Sequence, residues 1–89
     1  MICGKTASGF EFTLEEEVLD NYELLETLAE IDKGNYGKLT EMTTLLLGEE
    51  QKDSLKEHVR NDKGKISIKK MMDEISEIFK SAKETGKNS

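Results

Sequence analysis

Two glycine turns, NDKGKIS in the C-terminal half and DKGNYGKLT in the middle of the chain, place oxygen-bearing side chains near the spacing of a calcium loop. Such a loop of twelve residues needs oxygen ligands at positions 1, 3 and 5, a glycine at position 6 and a bidentate glutamate at position 12. With Gly64 at position 6, Val59 occupies position 1 and Lys70 occupies position 12. With Gly37 at position 6, Thr43 stands where the glutamate is needed. The sequence therefore predicts no metal site, and it assigns both glycines to turns before helices.

The sequence contains few residues in arrangements that could perform catalysis. His58 is the only histidine, and its neighbours Lys56, Glu57 and Arg60 place it on a charged, exposed helix face. The sequence lacks a GxSxG element, a glycine-rich phosphate loop and the histidine spacing of a metal site. Its many carboxylates fall on predicted helix faces, where abundance is no evidence of an acid–base pair. We therefore predict a protein that is not an enzyme and carries no cofactor.

The uneven distribution of charge argues against nucleic-acid binding. The 89 residues carry a formal net charge of -6, and residues 11–32 contain nine acidic residues and no Lys or Arg. From Lys63 onward, basic residues outnumber acidic ones by seven to four. Phosphate binding requires a concentrated basic face. A helix-turn-helix around Gly48 fails the same test, because its second helix would carry four acidic and three basic residues.

Length and composition predict one small domain that is made and kept in the cytoplasm. No apolar run approaches the roughly 20 residues that a membrane span needs, and no signal segment opens the sequence. Cys3 is the only cysteine, so an intramolecular disulfide is excluded and a reducing compartment is expected.

The N-terminal residues favour a β-hairpin. In GFEFTLE, the apolar residues Phe10, Phe12 and Leu14 alternate with polar ones, which is the period of a half-buried strand. We predict a hairpin over residues 2–14 with the glycine of ASG in its turn. Because a lone hairpin is marginal in water, its aromatic face must rest on helices.

Four helices are predicted after the hairpin, from the spacing of apolar residues and from capping residues. Their expected ranges are about 20–32, 40–47, 49–60 and 67–82, followed by a frayed tail at 84–89. Asp20, Thr40 and Ser67 are the expected N-caps, and Gly48 is the expected end of the second helix. The predicted fold is a single α+β domain over residues 1–83, mostly helical, with an N-terminal β-hairpin packed on about four short helices.

The last predicted helix carries the broadest apolar stripe in the sequence. Its apolar residues recur at i, i+3, i+4 and i+7 over residues 68–82, and it includes two adjacent methionines, which adapt to irregular partners. The simpler interpretation is a core helix covered by the helix at 24–31, although one flank can also face a partner. The candidate protein-binding residues are Met71, Met72, Ile75 and Phe79.

Three stretches give the chain a likeness to a known group of proteins. They are SGFEF in the hairpin, LDNYELLETLAEIDKG after it, and LLLGEEQKDSLKEHVRNDKGKISIKKMMDEISEIF toward the end. In this order, spanning Ser8 to Phe79, the chain resembles small proteins encoded among the tail genes of long-tailed phages and prophages of Gram-positive bacteria. The most telling part is the leucine-rich run followed by a glycine turn and a final amphipathic helix. Proteins of this group are commonly taken for tail assembly chaperones or tail-associated proteins.

The resemblance implies a non-enzymatic role in tail assembly in the host cytoplasm, with the tape measure protein as the expected partner. A small acidic chaperone could shield the apolar stripes of that long, aggregation-prone helical protein. Two alternatives stay open: a structural virion component such as a connector or tail completion protein, and a small prophage regulator that binds a host protein. The oligomeric state is open as well, with a homo-oligomer as one option.

Overall fold

The structure confirms the α+β class, with a hairpin at the N-terminus and helices after it. It is a computed structural model that describes residues 1–87, with side chains described for residues 1–82. In chain order the elements are β1 (Ile2–Lys5), β2 (Glu11–Leu14), a 3₁₀ helix (Glu16–Asp20), α1 (Tyr22–Asp32), α2 (Lys38–Val59) and α3 (Ile68–Lys87). The main packing of α1 is on α2, whereas α3 packs on β1 and α2.

The antiparallel hairpin covers one side of the core with its inner face. As predicted, Phe10, Phe12 and Leu14 are buried, because alternate residues of a strand point to the same face. Gly4 is the partner of Phe12 across the sheet, and a Cβ atom on Gly4 would lie 2.5 Å from the Phe12 ring. Only a glycine at this position lets the buried ring lie so close to the backbone of β1.

A side-chain amide holds the hairpin to α2. Gln51 Oε1 accepts a hydrogen bond from Thr13 N at 2.8 Å, and Gln51 Nε2 donates to Thr13 O at 2.7 Å. This pair of bonds imitates a neighbouring strand at the edge of β2. Gln51 Nε2 also donates to Leu47 O at 2.9 Å, which fixes the amide in place. The second half of α2 is thereby tied to the hairpin.

The N-cap of the first helix is Asn21, one residue after the predicted N-cap Asp20. Glu16–Asp20 forms a 3₁₀ helix, so Asp20 belongs to the preceding element. Asn21 takes the capping position instead, and its Oδ1 accepts a hydrogen bond from Glu23 N at 2.9 Å. The prediction of Asp20 as the cap was therefore wrong by one residue, since either side chain can satisfy a free N–H of the first turn.

The predicted helices 40–47 and 49–60 form the two halves of a single kinked element, α2. The break lies at Gly48, whose φ of 81° and ψ of 165° are non-helical, so the predicted stop is present but the count of four helices becomes three. The predicted N-cap Thr40 was wrong, because α2 already begins at Lys38 behind Gly37. The turn before it hydrogen-bonds Leu39 N to Tyr36 O, which starts the helix earlier.

The last helix begins as predicted and continues further than predicted. Ser67 Oγ accepts a hydrogen bond from Lys70 N at 3.2 Å, as an N-cap does. α3 extends to Lys87, past the predicted end at residue 82. The predicted tail at 84–89 thus overlaps the helix, and its last two residues lie outside the described residues. Within residues 1–87, no helix is both long and apolar enough to cross a membrane.

Candidate protein-binding groove

The two flanks of α3 have different surroundings. Ile75, Ile78 and Ala82 are buried on the face that packs against the hairpin and α2. Met72 and Phe79 are only half-buried, on the flank that turns toward α1. The helix at 24–31 was expected to cover the stripe, but α1 packs mainly on α2. An opening therefore remains between α1 and α3.

This opening is an apolar groove of about 310 Å³, called here the α1–α3 groove. Three helices supply its walls. Its apolar lining consists of Leu28, Ile31, Leu39, Met42, Met72, Ile75 and Phe79, and its polar lining consists of Asp32, Ser76 and Lys80. The three polar side chains are exposed and lie at its solvent side. The groove combines a narrow apolar floor with one negative and one positive group at the edge.

The groove brings together three of the four candidate residues named from the sequence. Met72, Ile75 and Phe79 share it, with Ile75 buried at its floor. Met71 is buried as well, but it lines a second pocket at the junction of α2 and α3. Met71 and Met72 are consecutive residues, so their side chains are about 100° apart around the helix axis. This angle is enough to place the two methionines in different cavities.

Sequence reasoning missed the opposite walls of the groove, which are formed by Leu28, Leu39 and Met42. Leu28 has a readable signal, because it lies four residues after Leu24 on the helical repeat. Leu39 precedes the helix that the sequence predicts from residue 40, so the pattern places it in a loop. The groove depends on how α1 lies relative to α3, which a single-helix pattern does not encode.

A larger depression of about 470 Å³ lies on the other side of α1, and its chemistry differs. It is lined mainly by charged side chains, including Glu26, Glu30 and Glu41 with Lys33 and Lys38. A hydrogen bond from Asn35, followed by the contact with Lys33, lowers the pKa of the Glu30 carboxyl. Glu30 pairs with Lys33, and Glu41 pairs with Lys38, at the surface. Because its lining is mainly charged, the depression offers a partner little apolar area to bury.

A polar cluster joins the hairpin turn to α2 and α3. Glu74 is buried, and its carboxylate accepts hydrogen bonds from Thr6 Oγ1 at 2.8 Å and Ser8 Oγ at 3.0 Å. Ser8 Oγ also lies 3.0 Å from His58 Nε2, and the His58 ring lies 5.5 Å from the ring of Phe10. His58 is exposed, as predicted, and it contacts Ser8 and Phe10 of the hairpin.

The order of groups in this cluster differs from that of a hydrolytic triad. In a triad, the imidazole stands between the nucleophile and the carboxylate. Here the hydroxyl of Ser8 stands between the imidazole of His58 and the carboxylate of Glu74. The single hydroxyl proton of Ser8 is directed to Glu74, so His58 donates to Ser8 rather than accepting from it. The arrangement serves as a clasp between hairpin and helices.

The turn that raised the calcium question is closed by protein groups. Asn61 Oδ1, which falls at position 3 of the loop alignment, accepts hydrogen bonds from Lys63 N at 2.9 Å and Lys65 N at 3.0 Å. Gly64 has a φ of 81°, which confirms its role in a turn. Among the side chains that the structure describes, no three His, Cys, Asp or Glu residues converge as metal ligands.

Comparisons of the chain with protein-family models, with curated proteins and with solved structures found no match.

Proposed function

We propose that this protein is a non-enzymatic phage or prophage protein that binds a helical segment of a tail protein during tail assembly. The proposed client is the tape measure protein. One observation carries the proposal: an apolar groove between α1 and α3 that holds three of the residues chosen from the sequence. The choice of client rests on the resemblance to small tail-associated proteins.

The shape and lining of the groove favour an α-helix as the bound segment. An amphipathic helix enters a groove between helices with anchors spaced at i, i+3, i+4 and i+7. Two of the lining residues, Met42 and Met72, are unbranched and can adjust to anchors of different shape. A client with many related apolar stripes, rather than one fixed motif, suits such a surface.

Charge near the groove adds a second requirement for the client. α1 supplies one wall and belongs to residues 11–32, which carry nine acidic residues and no basic one. Asp32 lies at the edge of the groove itself. A bound helix with Lys or Arg beside its apolar anchors would gain favourable electrostatic interactions, and a nucleic acid would be repelled.

The proposal is tested by co-expression with the tape measure protein of the same genome, followed by affinity capture and light scattering. The wild-type protein should co-purify in a soluble complex. Phe79→Glu places a charge among the groove's apolar residues, and we expect it to weaken binding by roughly 10-fold to 100-fold while circular dichroism shows the same helix content. Tyr36→Glu is the matched control, since Tyr36 is exposed and lies outside the groove.

Three outcomes would speak against the proposal. Equal capture by wild type and Phe79→Glu would remove the groove from the binding surface. Loss of helix content in Phe79→Glu would show that this side chain acts as plain core. A folded protein that ignores the tape measure protein, yet is found in purified virions or captures a host protein, would favour the structural or regulatory alternative.

A further inference from the structure

The outer face of α1 carries large apolar side chains that point away from the core. Tyr22, Leu25 and Ala29 recur at i, i+3 and i+7, which places them on one face of the helix. Tyr22 is 72% exposed and Leu25 is 59% exposed. Glu23, Glu26 and Glu30 lie along one side of this face, toward the charged depression that they line. The outer face of α1 is thus an apolar ridge with an acidic border.

A pocket of the opposite character lies at the junction of α2 and α3. This α2–α3 pocket has a volume of about 260 Å³ and is lined by Leu39, Thr40, Thr43, Lys52, Lys56, Ile66, Ile68 and Met71. Its two charged members are both lysines. Lys52 is paired with Glu49 at 3.3 Å, so Lys56 is the cation that the pocket offers to a partner. Ile68 is 65% exposed at its edge.

The ridge and the pocket cannot meet within one molecule. The opposite face of α1, with Leu24, Thr27 and Ile31, is buried against the rest of the protein. The outer face therefore points into solvent, while the α2–α3 pocket is closed on its inner side by residues of α2 and α3. Any contact between the two surfaces has to involve two copies of the chain.

We propose that the protein self-associates head to tail, with the outer face of α1 of one copy docked in the α2–α3 pocket of the next. Tyr22 and Leu25 supply apolar side chains for a pocket with an apolar lining, and Glu23 and Glu26 beside them meet Lys56. The ridge has carboxylates beside its apolar side chains, and the pocket has a lysine beside its apolar lining, so a second copy offers each surface its complement.

The two surfaces are different, so the contact is heterologous, and each copy keeps one free ridge and one free pocket. Such a contact produces open chains, or a ring where the rotation closes. Its area is that of one helix face on one pocket, which places it among weak, transient interfaces. Because part of the attraction is between exposed charges, it should weaken as salt rises.

Mixing two complementary variants tests the proposal. Tyr22→Ala/Leu25→Ala removes the ridge, and Lys56→Ala/Ile68→Ala removes the pocket's cation and edge. Sedimentation velocity should show association of the wild type that grows with protein concentration and falls with added salt. Each variant alone should be monomeric under the same conditions, with unchanged circular dichroism. Their equimolar mixture should form dimers and nothing larger, since one intact ridge and one intact pocket remain. Tyr36→Ala, at an exposed aromatic outside both surfaces, should associate as the wild type does.

Other outcomes would overturn the proposal. They are a wild type that stays monomeric up to millimolar concentration, single variants that associate like the wild type, and a mixture that stays monomeric. None of the substituted residues belongs to the α1–α3 groove. Capture of the tail protein by these variants would therefore remain intact, and failure of self-association would leave the client proposal standing.

Discussion

The hairpin side and the α1 side of α3 are built from different interactions. On the hairpin side, Glu74 and Ile78 are buried, and Glu74 is hydrogen-bonded to two hydroxyls of the hairpin turn. On the α1 side, Met72 and Phe79 are half-buried, and they line an open apolar groove. The first side combines apolar packing with directional bonds, and the second presents apolar side chains that are only partly covered.

This difference suggests a division of roles within one helix. Directional bonds around Glu74 fix the helix in one position, because a buried carboxylate is costly unless its hydrogen bonds are made. On the groove side, Met72 and Phe79 are incompletely covered, so they can bury further area on a partner. We expect substitutions on the hairpin side to affect folding and those on the groove side to affect binding.

The largest effect is expected from Ile78→Ala on the hairpin side. Ile78 is fully buried, and truncating such a side chain leaves a cavity that costs about 2–5 kcal/mol in the free energy of unfolding. Met72→Ala on the groove side should cost only about 1 kcal/mol, because Met72 is half-buried. Urea denaturation of both variants measures the difference. Equal losses would mean that the two sides contribute alike to the core.

The second effect is expected from Glu74→Ala, which removes the acceptor of the polar clasp. Thr6 is buried, and its hydroxyl would lose its carboxylate partner, so the free energy of unfolding should fall by about 1–3 kcal/mol. Asp73→Ala is the matched control, because Asp73 is exposed and its ion pair with Lys69 lies at the surface. Its cost should stay within about 0.5 kcal/mol. A control that destabilises as much as Glu74→Ala would contradict the role of the clasp.

Gly48 divides α2 into two halves, and each half contacts a different side of the protein. Leu39 and Met42 in the first half line the groove, while Gln51 in the second half holds the hairpin. A side chain at φ 81° and ψ 165° is strained, so Gly48→Ala should lower the free energy of unfolding by about 1–3 kcal/mol. Thermal unfolding measures this loss. An unchanged stability would show that α2 is not held in the kinked form.

The smallest effect concerns the connection between α2 and α3. Hydrogen bonds from Arg60 lower the pKa of the Glu57 carboxyl below the ordinary value of 4.5, and Arg60 also donates to Gly64 O at 2.9 Å. The stabilisation that the Glu57–Arg60 pair gives the folded state is therefore present above the pKa of Glu57 in the unfolded chain. It is lost as the pH falls through the lowered pKa of Glu57 in the native state. The melting temperatures of wild type and Glu57→Gln should differ slightly near pH 7 and converge as the pH falls below the native pKa of Glu57. A difference in melting temperature that persists in acid would show that it comes from packing and not from charge.

The sequence pattern was informative wherever one element determines its own structure. The alternation through Phe10, Phe12 and Leu14 predicted the hairpin and its buried face, and Ser67 was predicted as the N-cap of α3. The capping of α1 and α2 was less predictable. Asp20 and Asn21 are neighbouring residues of equal capping strength, and Thr40 lies inside a helix whose start depends on the turn before Lys38.

The groove was predictable only in part. The stripe on α3 indicated Met72, Ile75 and Phe79 as candidates, and the structure places these three together. It did not indicate that Met71 belongs to another cavity, or that Leu28 and Leu39 form the facing walls. Those facts follow from the packing of α1 on α2 rather than on α3, and packing of this kind depends on tertiary contacts that periodicity does not report.

The most direct test of the groove proposal is a nuclear magnetic resonance titration of the labelled protein with helical segments of the tape measure protein. We expect saturable chemical-shift changes concentrated at Leu28, Met42, Met72 and Phe79, with small changes in the hairpin. The same titration of Phe79→Glu should give far weaker changes, while the spectrum of the variant itself remains that of a folded protein. Changes centred elsewhere on the surface, or none with any segment, would contradict the claim that this groove holds the client helix.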